Sequence, residues 1–160
     1  MITFRTITQL QGLSADHLSD FMIDCNDEDY QRWWPENHLH FHTIVHRPGE
    51  IGNIVFFDEY VGKTRLRTEA VVRRYERGKL IEWQMKRLIS LPVRIILSIR
   101  ALPSGLEIDH VVAIGYNGIP AILDPFIRLL VPKGLESELD DHVRTEFGKL
   151  GPVLRSRIDG

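Results

Sequence analysis

The stretch that decides the fold is GLESELDDHVRTEFGKL, residues 134–150. Its apolar residues recur every three or four positions, at Leu135, Leu139, Val143, Phe147 and Leu150. That spacing predicts a long amphipathic helix with one face on the core. His142 and Glu146 fall within the same face. Because an imidazole and a carboxylate are costly to bury unpaired, both need partners on the elements that this helix packs against.

Two earlier stretches supply such partners, ENHLHFH at residues 36–42 and FFDE at residues 56–59. Side chains alternate along a regular strand, so His38, His40 and His42 are predicted to share one face. Residues 39, 41 and 43 would then point to the other face. A turn centred on Pro48-Gly49 would place His38 across from Glu59, whereas a bulge would bring His40 near Glu59.

These histidines and glutamates suggest a metal site inside a cavity. His142 and Glu146 have the i, i+4 spacing that lets two helical side chains bind one ion. A set of two imidazoles and two carboxylates suits zinc, and manganese or iron less well. The alternatives are a buried His–Glu hydrogen bond on the helix and a solvent-facing polar strand. Imidazole and carboxylate ligands without thiolate are more typical of catalytic than of structural zinc.

Composition limits the class of protein. At 160 residues, with 43% hydrophobic and 26% charged residues, the chain is expected to form a single domain over residues 1–160. A net charge of −2 gives no general attraction to nucleic acid or to an anionic membrane. One cysteine, Cys25, excludes an internal disulfide. Without a signal-peptide pattern or a membrane-length apolar segment, a cytoplasmic protein is expected.

The pattern of elements predicts an α+β fold. The expected strands are Ile2–Ile7, His38–His46, Ile51–Tyr60, Lys63–Glu76, Lys79–Lys86, Arg94–Leu102 and Leu106–Gly115. One or two helices, with Ser14 as N-cap, are expected to reach Trp34 before Pro35. Further helices are expected at Ile119–Val131 and Leu135–Leu150. A curved antiparallel sheet around a long terminal helix leaves a cavity, and this layout resembles the helix-grip fold of the START and birch-pollen-allergen superfamily.

A narrower resemblance lies in three motifs, Trp34-Pro-x-x-His38, Phe57-Asp-Glu59 and Asp141-His142-x-x-x-Glu146. On a helix-grip layout they resemble the diacetylphloroglucinol hydrolase family, whose members bind zinc and cleave a carbon–carbon bond next to a ketone. The resemblance implies that the metal ligands are His38, Glu59, His142 and Glu146, although His40 or His42 could take the place of His38. The other two strand histidines, His40 and His42, are then candidates for catalytic proton transfer.

Other residues are interpreted structurally. His110 shares a strand face with Ile108 and Val112 and is interpreted as a core histidine, with a place on the cavity wall as the alternative. The arginines between positions 65 and 77 are interpreted as a solvated strand face.

Three alternative functions are therefore consistent with the sequence. The first is a zinc-dependent hydrolase for a small aromatic or polyketide-like ketone. The second is a carrier for a small hydrophobic ligand, and the third is a metal-free polyketide cyclase. Neither nucleic acid nor a membrane is expected as a partner, and the sequence leaves open whether a homodimer forms.

Overall fold

The computed structural model describes residues 1–86, 90–115 and 134–159. Its elements, in chain order, are β1 (Ile2–Gln11), α1 (Ala15–Asp24), α2 (Asp27–Trp33), β2 (His38–Val45), β3 (Ile54–Val61), β4 (Thr64–Glu76), β5 (Leu80–Lys86), β6 (Ser90–Leu102), β7 (Gly105–Ile114) and α3 (Leu135–Asp159). The predicted helix Ile119–Val131 lies outside the described residues. The other predicted elements are all present, with different ends in some cases.

One curved antiparallel sheet contains the seven strands in the order β1-β7-β6-β5-β4-β3-β2. Because β1 pairs with β7, the first strand of the chain lies beside the last, and β1 and β2 form the two ends of the sheet. Helix α3 packs against β1 and β3 and also contacts α1 and α2. This is the helix-grip arrangement expected from the sequence.

The inward face of α3 follows the predicted apolar stripe. Val143, Phe147 and Leu150 are at most 2% exposed. Asp141 and Arg144, on the opposite face of the helix, are exposed. The helical period of apolar residues therefore placed this element correctly on the core.

Helix α3 extends further than the sequence indicated. The predicted helix ends at Leu150, whereas the observed helix contains Pro152, and a proline inside a helix removes one backbone hydrogen bond. The helix nevertheless continues to Asp159. Val153 and Leu154, just beyond the proline, are buried in the core, and that burial offsets the missing bond. Strand β1 also runs further than expected, to Gln11, because it pairs with β7 along its whole length.

Helices α1 and α2 begin at capping residues. The Ser14 Oγ accepts a hydrogen bond from the His17 backbone N–H at 3.2 Å, as predicted. Asn26 caps α2 in the same way. None of the helices in the described ranges is both long and apolar enough to span a membrane.

Candidate metal centre and cavity

Four side chains from three elements converge beneath α2. His38 lies on β2, Glu59 on β3, and His142 and Glu146 on α3. Each offers a ligand atom, and the four atoms lie within 4.8 Å of one another. The His38 Nε2 atom is 3.3 Å from Glu146 Oε1 and 3.9 Å from Glu59 Oε2. The His142 Nε2 atom is 3.9 Å from the same Glu59 oxygen.

Backbone geometry explains this convergence. His38 pairs directly with Glu59 across β2 and β3, as the turn centred on Pro48-Gly49 predicted, so both side chains point to the same face of the sheet. On α3 one helical turn separates the other two residues. Helix α2 holds α3 in place, because the Trp33 indole Nε1 donates a hydrogen bond to the Glu146 carbonyl oxygen at 2.6 Å.

Tyr30 on α2 contacts both residues of the cluster that come from the sheet. Its hydroxyl donates a hydrogen bond to Glu59 Oε2 at 2.6 Å. Its backbone carbonyl oxygen lies 3.1 Å from Nδ1 of His38 and accepts a hydrogen bond from this N–H. The tyrosine and imidazole rings are stacked, with centroids 3.7 Å apart. This arrangement leaves Nε2 of His38 unprotonated, buried and without a hydrogen-bond partner among the described residues.

The charges of the cluster are unbalanced. Burial, and for Glu59 also the negative charge of Glu146, raises the pKa of both carboxyl groups. Burial lowers the pKa of His38 to about 4 and also lowers the pKa of His142. Burial therefore favours the uncharged form of every member, and a nearby cation would favour ionisation of both carboxylates.

This buried group could bind a metal ion. The His38 imidazole has the tautomer that a metal ligand needs. Its Nδ1–H donates a hydrogen bond to a backbone carbonyl, and its Nε2 has no hydrogen-bond partner among the described residues. Nitrogen and carboxylate donors without a thiolate match the preferences of zinc. The residues present therefore fit the ion that the sequence suggested.

The expectation that His38, His40 and His42 share one face is wrong. A bulge between His38 and His40 shifts the register of β2, so that His38 and Phe41 are the buried residues. His40 and His42 point to the other side and are 47% and 40% exposed. Their Nδ1 atoms lie 2.9 Å and 2.7 Å from the two carboxylate oxygens of Asp27. Neither lines the cavity, so their predicted role in proton transfer has no geometric support and stays a prediction.

Three residues of this cluster form part of the wall of a cavity of about 130 Å³. Glu59, His142 and Glu146 supply its polar side. The remaining wall is mainly apolar and aromatic, and its rings are those of Tyr30, Trp33, Phe41, Phe57, Trp83, His110 and Phe147. A volume of this size accommodates a single small ring, since an apolar cavity of about 150 Å³ binds benzene.

Two further residues belong to this site, His110 and Tyr30. His110 was interpreted as core, but it lines the cavity, and it makes no hydrogen bond to another described residue. Burial, and secondarily His142, lowers its pKa to about 4. The alternation of side chains along its strand did place His110 on the same face as Ile108 and Val112. No signal in the sequence marked Tyr30, because its role depends on how α2 lies over β2.

The arginine-rich strand pair is a solvated face, as interpreted. Arg65 makes a bidentate ion pair with Asp58, with both bonds at 2.8 Å. Arg74 lies 3.6 Å from Glu82.

No known family model matches the chain, and no curated protein matches it in sequence. Solved structures do resemble it along nearly its whole length. Protein TTHA0849 from Thermus thermophilus has a TM-score of 0.67 at 7% identity, with 98% of this chain and 99% of that chain covered. Ara h 8.0201 has a TM-score of 0.65 at 10% identity, covering 97% and 98% of the two chains.

A third similar structure is the ginseng major latex-like protein 151 from Panax ginseng. Its TM-score is 0.57 at 8% identity, and 89% of this chain and 98% of that chain are covered. At such low identity these likenesses establish the fold and not the activity. The chain thus has the α+β helix-grip fold of the START and birch-pollen-allergen type.

Proposed function

We propose that the cavity binds a small, largely apolar ligand that contains one ring. Support comes from its size, its aromatic walls and its enclosure between the sheet and α3. Apolar pockets with a few polar groups are the usual form of small-molecule sites. The observation that carries the proposal is the position of a polar cluster on one side of an otherwise apolar cavity.

Two substitutions on β7 test this binding function. Val112 lines the cavity, whereas its neighbour Val111 does not. Val112→Phe should fill the space and weaken the binding of small aromatic compounds at least tenfold, an effect of about 1.4 kcal/mol. Val111→Phe adds the same volume outside the cavity and should bind as the wild type does. Equal binding by both variants would exclude this cavity as the ligand site.

We further propose that His38, Glu59, His142 and Glu146 hold a zinc ion. The unpartnered Nε2 of His38 supports this, as does the bond from its Nδ1 to Tyr30. Elemental analysis of the purified protein should find about one zinc ion per chain, the stoichiometry of a single four-ligand site.

The matched variants for zinc lie on α3. His142→Ala/Glu146→Ala should abolish the metal content. Asp141→Ala/Thr145→Ala has the same spacing on the exposed side of the helix and should retain it. A wild-type protein that stays free of metal after zinc is supplied would exclude the site, while leaving the apolar ligand site to be tested separately.

A second candidate function is hydrolysis of a carbon–carbon bond next to a ketone, on an aromatic or polyketide-like substrate. It is favoured by the opening of Glu59, His142 and Glu146 onto the cavity, where a bound ligand would meet them. A zinc ion bound here would polarise the oxygen of a ketone. In the net reaction the bond between the acyl carbon and the ring carbon is hydrolysed. The OH of water is added to the acyl carbon and its H to the ring carbon.

His110 is the residue we assign to proton transfer in this reaction. It lines the same cavity, and burial keeps its imidazole neutral at pH 7, so that it can accept a proton. Turnover of acylated phenols by the zinc-loaded protein, its loss on chelation and a large decrease in His110→Gln would support hydrolysis. Ligand binding without turnover by the zinc-loaded protein would leave a carrier as the function.

A further inference from the structure

His110 is a polar side chain whose ring nitrogens have no hydrogen-bond partner among the described residues. It lies on β7, on the inner face of the sheet, and it lines the cavity. Its ring is 6.1 Å from that of Phe147 on α3, so that the imidazole is enclosed between the sheet and the helix. The described part of the protein therefore leaves the hydrogen-bonding capacity of this imidazole unused.

Both ring nitrogens of His110 are accessible to a molecule the size of water. In the described part of the chain, two buried side-chain atoms are unpartnered and also have almost no accessible surface, and they are Nε2 of His38 and Nε1 of Trp83. The nitrogens of His110 do not belong to this group although they too are unpartnered, so they retain accessible surface. Because the residue is partly accessible and yet lies deep in the interior, that surface opens onto the cavity.

The chemistry of the imidazole indicates which ligand group it would pair with. Burial, and secondarily His142, lowers the pKa of His110 to about 4, so the ring is neutral at pH 7 and offers one donor and one acceptor. A ketone or ether oxygen can only accept, and a hydrocarbon can do neither. A hydroxyl group both donates and accepts, so it can pair with either nitrogen in either tautomer.

We infer that His110 is a specificity-determining residue that forms a hydrogen bond with a hydroxyl group on the ring of the ligand. This inference rests on the proposed ligand-binding function of the cavity and names the ligand class as small phenols. Leu97, which pairs with His110 across β6 and β7, and Val112 supply apolar wall beside the imidazole. A hydroxyl held there without His110 would be buried unpaired and would lose affinity.

A pair of compounds of the same shape tests this role. 4-Methylphenol and 1,4-dimethylbenzene differ by a hydroxyl in place of a methyl group, and the measured quantity is the ratio of their affinities. His110→Leu removes both ring nitrogens, so the ratio should shift by about tenfold towards the hydrocarbon, the scale of one lost buried hydrogen bond. His110→Gln supplies a donor and an acceptor again and should keep the ratio within about threefold of the wild-type value.

The same glutamine variant separates recognition from proton transfer. An amide can form the hydrogen bond but cannot take up a proton near neutral pH, so His110→Gln should keep the affinity ratio even if it loses turnover. Val112→Ala is the matched control on the same strand, since it changes the cavity wall without removing a polar atom. It should also keep the wild-type ratio.

The carboxylate and imidazole groups of Glu59, His142 and Glu146 are another polar part of the wall, so His142→Ala/Glu146→Ala is measured as well. An unchanged ratio in His110→Leu would overturn the role of His110 while leaving the cavity as a ligand site. A shift in the cluster variant alone would then assign the hydroxyl to the cluster. Failure of both compounds to bind the wild type would instead overturn the proposed binding function, and this inference with it.

A measurement on the wild-type protein covers the case in which His110→Leu does not fold. Nitrogen-15 nuclear magnetic resonance observes the ring nitrogens of the seven histidines, and the signals missing from His110→Gln belong to His110. 4-Methylphenol should move one of these signals much further than 1,4-dimethylbenzene does, because the chemical shift of an imidazole nitrogen responds strongly to hydrogen bonding. Equal movement with the two compounds would contradict the inference.

Discussion

The Tyr30 hydroxyl donates a hydrogen bond of 2.6 Å to the Glu59 carboxylate, across the boundary between helix α2 and strand β3. The backbone carbonyl of the same tyrosine accepts a hydrogen bond from Nδ1–H of His38, and its ring stacks on that imidazole. One helical residue thus fixes the orientation of two proposed ligands from different strands.

Removal of this hydroxyl should weaken metal binding. Tyr30→Phe keeps the stacked ring and the carbonyl but frees the Glu59 carboxylate to rotate. We expect about a 10- to 100-fold loss of zinc affinity, the usual effect of removing an outer partner of a metal ligand. Competition with a chelating dye measures it. Tyr75→Phe, which removes a hydroxyl bonded to Ser19, is the control; equal zinc affinity in both variants would contradict the positioning role.

The bulge in β2 predicts which strand histidine binds the ion. His38→Ala should lose zinc, because it removes the buried imidazole beside Glu59 and Glu146. His42→Ala should keep it, because His42 is bonded to Asp27 on the other face. Metal content of the two purified variants decides the question. Loss of zinc only in His42→Ala would mean that β2 has the other register.

The pH dependence of stability should reveal His110. Its pKa is about 4 in the folded protein, below the ordinary value of 6.5. Between these two values the unfolded chain binds more protons at this position, so the free energy of unfolding falls as the pH falls. In metal-free protein, His110→Gln should reduce the number of protons taken up on unfolding by up to one, and with it the slope of the free energy of unfolding against pH. Urea denaturation at several pH values measures it, and the exposed His46→Gln should behave as the wild type does.

Phe147 should be among the more costly core residues to remove. It is 2% exposed, and its ring lies 5.7 Å from that of Trp33. Phe147→Ala should lower the free energy of unfolding by about 3–5 kcal/mol. Thr145→Ala, exposed on the same helix, should change it by less than about 0.5 kcal/mol. A similar value for both variants in urea denaturation would show that α3 does not pack through this face.

Periodicity and turn chemistry explain what the sequence could predict. The apolar stripe of α3 set its inward face, and the Pro-Gly turn indicated the hairpin in which His38 pairs with Glu59, although two register shifts between β2 and β3 also contribute to that pairing. Both features depend on neighbouring residues or on a regular repeat, so one sequence contains them. Antiparallel strands followed by a long helix were sufficient to indicate the fold class.

What sequence reasoning missed depends on contacts between distant elements. The bulge after His38 interrupts the alternation that the prediction assumed, and it is stabilised by Asp27 from another element. The continuation of α3 past Pro152 reflects burial of Leu154. The free N–H of Trp83 is visible only when its whole surroundings are known. Local patterns contain none of this information.

The bulge at Leu39 places two neighbouring histidines in different environments. The backbone turns His38 inward, where it meets Glu59 and Glu146. His40 lies two residues away on the opposite face, where it meets Asp27, Phe56 and solvent. Substitution of His40 or His42 should therefore leave the interior unchanged. Deletion of Leu39 would restore the regular alternation and still leave His38 inward and His40 outward.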